Sequence, residues 1–250
     1  MAILASVFCR FNCFILRSYI TISMSLTHIK DLVARQNTTI TPPFVLDSPE
    51  KCLLGVKHWN QHEWQNFDYK YNSDGFRTTY YDSGIVAVGD SFTEGWGTPI
   101  EQQYTKHIGK DVINLGVDGA GNDAIADIVN WSVNKFNPHT VIVMYSYFHR
   151  YNGEKQFQAD CTNDYQNALR FIKAVNSIRQ TCERYHSLNT KVKLIETCIP
   201  DDLYLEDEID IIDNIIPNRV RYEQIDTARD GAHFGPKTVK LIGEELAKYC

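Results

Sequence analysis

What the chain lacks narrows it first. No stretch of about 20 apolar residues runs free of charge, so no stable membrane insertion is expected. Basic residues are outnumbered, with 25 Lys+Arg against 31 Asp+Glu and a net charge of −6. Without a basic stripe, a nucleic-acid partner is not expected. The seven cysteines (Cys9, Cys13, Cys52, Cys161, Cys182, Cys198, Cys250) are odd in number and form no Cys-x-x-Cys pair. Neither a zinc ribbon nor a redox motif is written in them, and reduced thiols in an intracellular protein are the expectation. Seven acids crowd positions 201–213: Asp201, Asp202, Glu206, Asp207, Glu208, Asp210 and Asp213. They lack the spaced ligands and central glycine of a calcium loop. Their alternation with Ile209, Ile211 and Ile212 predicts a solvated face over an apolar one. No internal repeat is visible.

What is present is an ordinary globular composition. Of 250 residues, 43% are hydrophobic and 22% charged. Disorder, collagen-like repeats and coiled coils are thereby excluded as the main theme. A compact fold of this size hides roughly 70–75% of its unfolded surface, so no staple is needed. Residues 1–30 contain no acid, and Arg10 and Arg17 interrupt their apolar run. Two readings stay open there: an organelle presequence, or an untidy segment ahead of a start at Met24. A secretory signal fits less well. Residues 31–84 read as an N-terminal extension and 85–250 as the main α/β unit. Within the extension, Trp59, Trp64, Phe67, Tyr69, Tyr71, Phe76, Tyr80 and Tyr81 interleave with polar groups. Such a segment forms either a packed flank or a ligand platform.

From residue 85 the pattern is regular. Apolar runs at 85–88, 112–115, 140–145 and 191–197 predict buried parallel strands. Between them, three- and four-residue apolar spacing predicts helices over 123–136, with Asn122 as cap, and over roughly 160–186. Gly235-Pro236 opens a last helix. Alternating strands and helices imply a parallel sheet covered on both faces.

The first strand runs into Gly89-Asp90-Ser91-Phe92-Thr93-Glu94-Gly95. A serine there sits at the carboxyl end of a buried strand, where open α/β sheets place ligands. Thr93 stands where the Gly-x-Ser-x-Gly elbow needs its second glycine, so that motif is not met. On this heptapeptide alone, Ser91 is equally a nucleophile or a helix cap. Asp230-Gly231-Ala232-His233 adds a carboxylate three residues before an imidazole. That spacing lets Asp230 hold one ring nitrogen while the other takes a serine proton. Gly116-Val117-Asp118-Gly119 comes after the second strand, and its glycines leave backbone N–H groups free as oxyanion donors. The order of a dinucleotide site is missing.

Together these pieces resemble the SGNH hydrolase superfamily, also called GDSL-type esterases and lipases. Gly89–Gly95 is similar to the family's first block, Asn114–Gly119 to its second, and Asp230-x-x-His233 to its last. The resemblance spans about residues 85–250. It implies a flavodoxin-like three-layer α/β/α fold and a serine esterase. Ser91, Asp230 and His233 would be the triad, and the N–H groups of Ser91 and Gly119 the oxyanion hole. The expected substrate is a small-molecule or carbohydrate ester, with neither cofactor nor metal. One departure stands out. The family's third block supplies an Asn oxyanion donor after the third strand, and Phe148 falls there. Ser146, His149 and Asn122 are the candidate replacements. Two alternatives remain open: an O-acyltransferase acting on a sugar hydroxyl, or a non-catalytic carbohydrate- or ligand-binding module on the same fold.

Overall fold

A computed structural model describes residues 25–42, 67–80, 82–151, 164–188 and 192–250. The opening 24 residues, with Arg10 and Arg17, lie outside these, as do Trp59, Trp64 and Tyr81. Four parallel strands form the centre: β3 (Ile85–Gly89), β4 (Ile113–Gly116), β5 (Thr140–Tyr145) and β6 (Lys193–Cys198). Their order is β4-β3-β5-β6. β3, β4 and β5 are buried at every position. This is why they read as continuous apolar runs rather than alternating ones. A single parallel bridge from Thr197 to Val220 extends the sheet beyond β6.

The chain leaves β3 toward β4 on one side, then returns across β3 to β5 through α3 (Asn122–Phe136). It reaches β6 through α4 (Asp164–Leu188), and α3 packs on α4. Right-handed crossovers put these two helices on one face. The carboxyl-terminal helix α6 (Pro236–Ala247) packs instead on the short turn Tyr104–His107, within the connection that leaves β3 for β4. The result is the three-layer order expected, with strand order 2-1-3-4. β3 and β5 are neighbours whose connections leave to opposite faces. The crevice beyond their carboxyl ends is a topological switch point, where such sheets bind ligands.

Local chemistry differs from expectation in two places. α3 is capped by Gly121, not by Asn122, whose side chain reaches across to the end of β5. The predicted strand over 191–197 runs from Lys193 to Cys198. As expected, Gly235 caps α6 and Pro236 sits at its first position. The acidic run forms a turn and α5 (Glu206–Ile215), with Ile212 buried and Asp201 and Asp213 both bound to Arg219.

Residues ahead of β3 brace the turn beyond it. Short α1 (Lys30–Arg35) and the antiparallel pair β1 (Thr39–Ile40) and β2 (Tyr69–Lys70) lie beside that turn. Tyr69 and Tyr71 are buried and cluster with Trp96. Arg77 donates to the carbonyls of Gly95 and Thr98 at 2.6 and 2.7 Å. The Gly97 N–H donates to Tyr69 Oη at 2.9 Å. The described aromatics of this segment are therefore packing residues, each worth about 1.5–3 kcal/mol when buried.

Candidate active site

Ser91 opens α2 (Ser91–Glu94), a single turn directly after β3. The cap is Asp90, whose Oδ1 accepts the Phe92 N–H at 3.0 Å, so Ser91 Oγ is free for other work. Gly95, left-handed at φ +77°, ends the turn. This turn lies almost on β4: a Cβ added at Gly116 would stand 2.1 Å from the Glu94 nitrogen. A glycine at 116 is thus a requirement of backbone approach, not of flexibility.

The loop before α6 brings the other partners. Asp230 Oδ1 accepts the N–H groups of Ala232 and His233, both at 3.0 Å. Its Oδ2 meets His233 Nδ1 at 2.5 Å, and His233 Nε2 meets Ser91 Oγ at 2.8 Å. An ionised carboxylate only accepts, so Nδ1 carries the proton in the neutral ring and Nε2 accepts from the serine hydroxyl. Phe92 packs on the imidazole, ring centroids 4.7 Å apart. Burial alone would push His233 down, but the charge and hydrogen bond of Asp230 lift it above its usual range. Burial pushes Asp230 up, yet His233 and the two amides hold it below the usual carboxylate range. The sum is a base oriented by a carboxylate and aimed at a hydroxyl.

All of this opens into a cavity of about 590 Å³ lined by Ser91, Gly119, Tyr147, Arg150, Asp202 and His233, among others. Gly119 has φ +73°, and neither its N–H nor that of Ser91 has an acceptor among the described residues. The first N–H groups of a helix have no intrahelical partner. Two donors are therefore available beside the hydroxyl.

The three candidates for the third donor do not join them. Ser146 is fully buried, and its hydroxyl donates to Asp90 Oδ2 at 2.5 Å. Asn122 accepts the Ser146 N–H at 2.9 Å and donates to the Tyr147 carbonyl at 3.1 Å, tying down the end of β5. His149 Nδ1 stands 3.8 Å from Glu208 Oε1. Asn122 and His149 line a separate cavity, as does Phe148. Phe148 is buried against Phe171, centroids 5.5 Å apart.

No family model matches the chain. No curated protein matches it either. Among solved structures, it is similar to a protein described as lipolytic, of the G-D-S-L family, from Desulfitobacterium hafniense DCB-2. That match has 16% identity and a TM-score of 0.44, over 66% of this chain and 98% of the other. TesA matches at 14% and 0.43, over 65% of this chain and 94% of its own. A family 3 carbohydrate esterase from Clostridium thermocellum matches at 15% and 0.36, over 66% and 92%. At such scores these likenesses carry no functional weight, and the chain's own geometry bears it.

Two groups at this site escaped sequence reading. Arg150 lines the cavity and pairs with buried Asp90 at 3.2 Å. Arg35, from α1, donates to Glu94 Oε2 at 3.2 Å and to Asp118 Oδ2 at 3.1 Å. No local spacing marks either one. The described thiols stay outside: burial pushes Cys182 and Cys198 up to about 12, which keeps them protonated and inert.

Proposed function

We propose that this chain is a serine esterase of the SGNH type, hydrolysing carboxylic ester bonds through an acyl-enzyme on Ser91. One observation carries the reading: the continuous Ser91–His233–Asp230 hydrogen-bond chain, 2.8 and 2.5 Å, opening into a cavity at the switch point. Ser91 Oγ bonds to the acyl carbon as its proton passes to His233 Nε2. The carbonyl electron pair moves to oxygen, which the N–H groups of Ser91 and Gly119 receive. Collapse expels the alcohol, which takes the proton from Nε2, and water repeats the cycle to release the acid. Asp230 holds the tautomer and stabilises the imidazolium.

A fluorophosphonate probe and a panel of small acetyl esters test this. The wild type should be labelled and active, and Ser91→Ala should lose both while melting normally. An unlabelled, inactive wild type would refute the esterase and favour a binding module. Acetyl transfer to an added sugar exceeding release to water would point to an acyltransferase.

A further inference from the structure

The site as described holds two oxyanion donors, both backbone amides, and the sequence candidates for a third are engaged elsewhere. Phe148 packs on Phe171, away from Ser91. Two residues farther along the same turn stands Arg150, the one arginine or lysine among the described residues lining the Ser91 cavity. It reaches the crevice because the chain leaving β5 bends at 146–150 over the carboxyl end of β3, held there by Asn122.

The guanidinium is anchored on one edge. Its Nη1 donates to Asp90 Oδ2 and to Ser146 Oγ, both at 3.2 Å. Its plane lies over the Tyr147 ring, 4.5 Å from the centroid. Nη2 and Nε have no acceptor among the described residues, a fifth of the side chain is exposed, and the residue lines both the Ser91 cavity and the neighbouring one. Asp90 is the residue preceding Ser91, so the anchor ties the arginine to the nucleophile's own turn. Of the three cavity carboxylates, Asp118 is paired with Arg35, and Asp226 is engaged by the N–H groups of Lys237 and Thr238. Asp202 makes no ion pair with Arg150, whose ion pair among the described residues is with Asp90.

We propose that Arg150 is the third oxyanion donor, its unengaged N–H edge meeting the negative oxygen that forms when Ser91 attacks the ester. This rests on the esterase reading above. A fixed cation aimed at developing charge needs no reorganisation during the reaction, and removing one such donor typically lowers turnover about 10²–10³-fold. Because the charge exists only after attack, the loss falls on kcat and leaves KM nearly unchanged. The donor of this site is thus a charged guanidinium in place of a neutral amide.

Two variants test it on the full chain. Arg150→Lys keeps the ion pair with Asp90, and Arg150→Gln keeps a hydrogen bond to it; both remove Nη2 and Nε, the edge that the proposal uses. Melting temperatures establish folding. With a neutral acetyl ester, kcat should fall about 10²-fold or more in either folded variant, with KM within about threefold. Inhibition by phenylboronic acid, which forms a tetrahedral anion on Ser91, should weaken by a similar factor. An unchanged kcat in a variant whose activity still depends on Ser91 overturns the proposal alone. So does a rise in KM confined to negatively charged esters, which would make Arg150 a reader of substrate charge. Absence of any Ser91-dependent turnover in the wild type overturns the proposal together with the esterase reading.

Discussion

Arg35→Met would expose how the residues ahead of β3 hold the catalytic turn. Glu94 closes α2, and its side chain is 1% exposed. Its Oε1 accepts from Tyr71 Oη at 2.7 Å, and its Oε2 accepts from the Asp118 N–H at 2.6 Å and from Arg35 at 3.2 Å. Arg35 itself is 14% exposed and also holds Asp118. Burial pushes the Glu94 carboxyl above its usual range, and Arg35 is the largest influence opposing that. Removing one partner of a buried pair costs about 3–5 kcal/mol, because the other charge is left uncompensated. Tyr71 and the Asp118 amide remain, so the lower end of that range, about 3 kcal/mol, is expected. In a chain of this size each kcal/mol moves the melting temperature by about 2–4 °C, giving a drop of about 6–12 °C.

The pH dependence adds a second reading of the same variant. A carboxyl whose folded pKa is raised binds protons more readily folded than unfolded, so stability falls as pH rises through that window. Losing Arg35 raises the folded value further and widens the window. The deficit should therefore grow as pH rises above the ordinary carboxylate range, read by thermal unfolding in matched buffers. Adding Glu94→Gln should recover at least half of the loss, since the neutral amide takes the Asp118 N–H on its oxygen, turns its NH2 to Tyr71 Oη as acceptor, and carries no charge. Turnover should drop as well, because Asp118 precedes Gly119 and a slight misplacement costs up to about 10²-fold. A melting temperature within about 2 °C of wild type at pH 8 would refute the reasoning.

The remaining predictions concern the site itself. The acid limb of the kcat/KM profile should lie above about pH 6.5, because His233 must lose a proton that Asp230 holds on. Asp230→Asn should move that limb to lower pH, burial then opposed only by the charges of Asp118 and Asp90, and cut kcat by up to about 10⁴-fold. The pair also stabilises the fold. His233 contributes fully below its unfolded value and loses this as pH rises through the raised folded pKa, while Asp230 contributes above its unfolded value and loses this as pH falls through the depressed one. The melting difference between wild type and His233→Gln should thus be largest between about pH 4 and 6.5. Phe148→Asn should not raise kcat, since that ring faces Phe171 rather than the cleft. It should instead lose about 3–5 kcal/mol in urea unfolding; faster turnover in that variant would contradict the placement of the third donor.

The parts legible in the sequence are those fixed by short spacing. A run of four to six mostly apolar residues is enough to make a buried strand, and β3 and β5 appear where the pattern put them. Asp230 and His233 lie three apart, so one tight loop aligns them, and only the meeting with Ser91 spans a long separation, of 142 residues. The strand order beyond adjacency was accessible only through resemblance, because parallel pairing leaves no mark in the strands themselves.

The course of the chain after β5 has a physical cause that counting along the sequence cannot detect. Matching Phe148 to an Asn site assumes that residues after β5 alternate in and out as the strand does. That alternation stops at Tyr145, where the ladder ends. From Ser146 onward the path is set by side chains from elsewhere: Asn122 of α3 fixes the backbone of 146 and 147, Asp90 takes the Ser146 hydroxyl, and Phe171 of α4 draws in Phe148. With Phe148 turned to the α3–α4 side, Arg150 falls over β3, where Asp90 holds it. Arg35 is hidden by the same logic, since its partners Glu94 and Asp118 stand 59 and 83 residues away. Residues that bind by local spacing could be read; residues placed by a buried counter-charge required the fold, because such a charge has no periodicity to betray it.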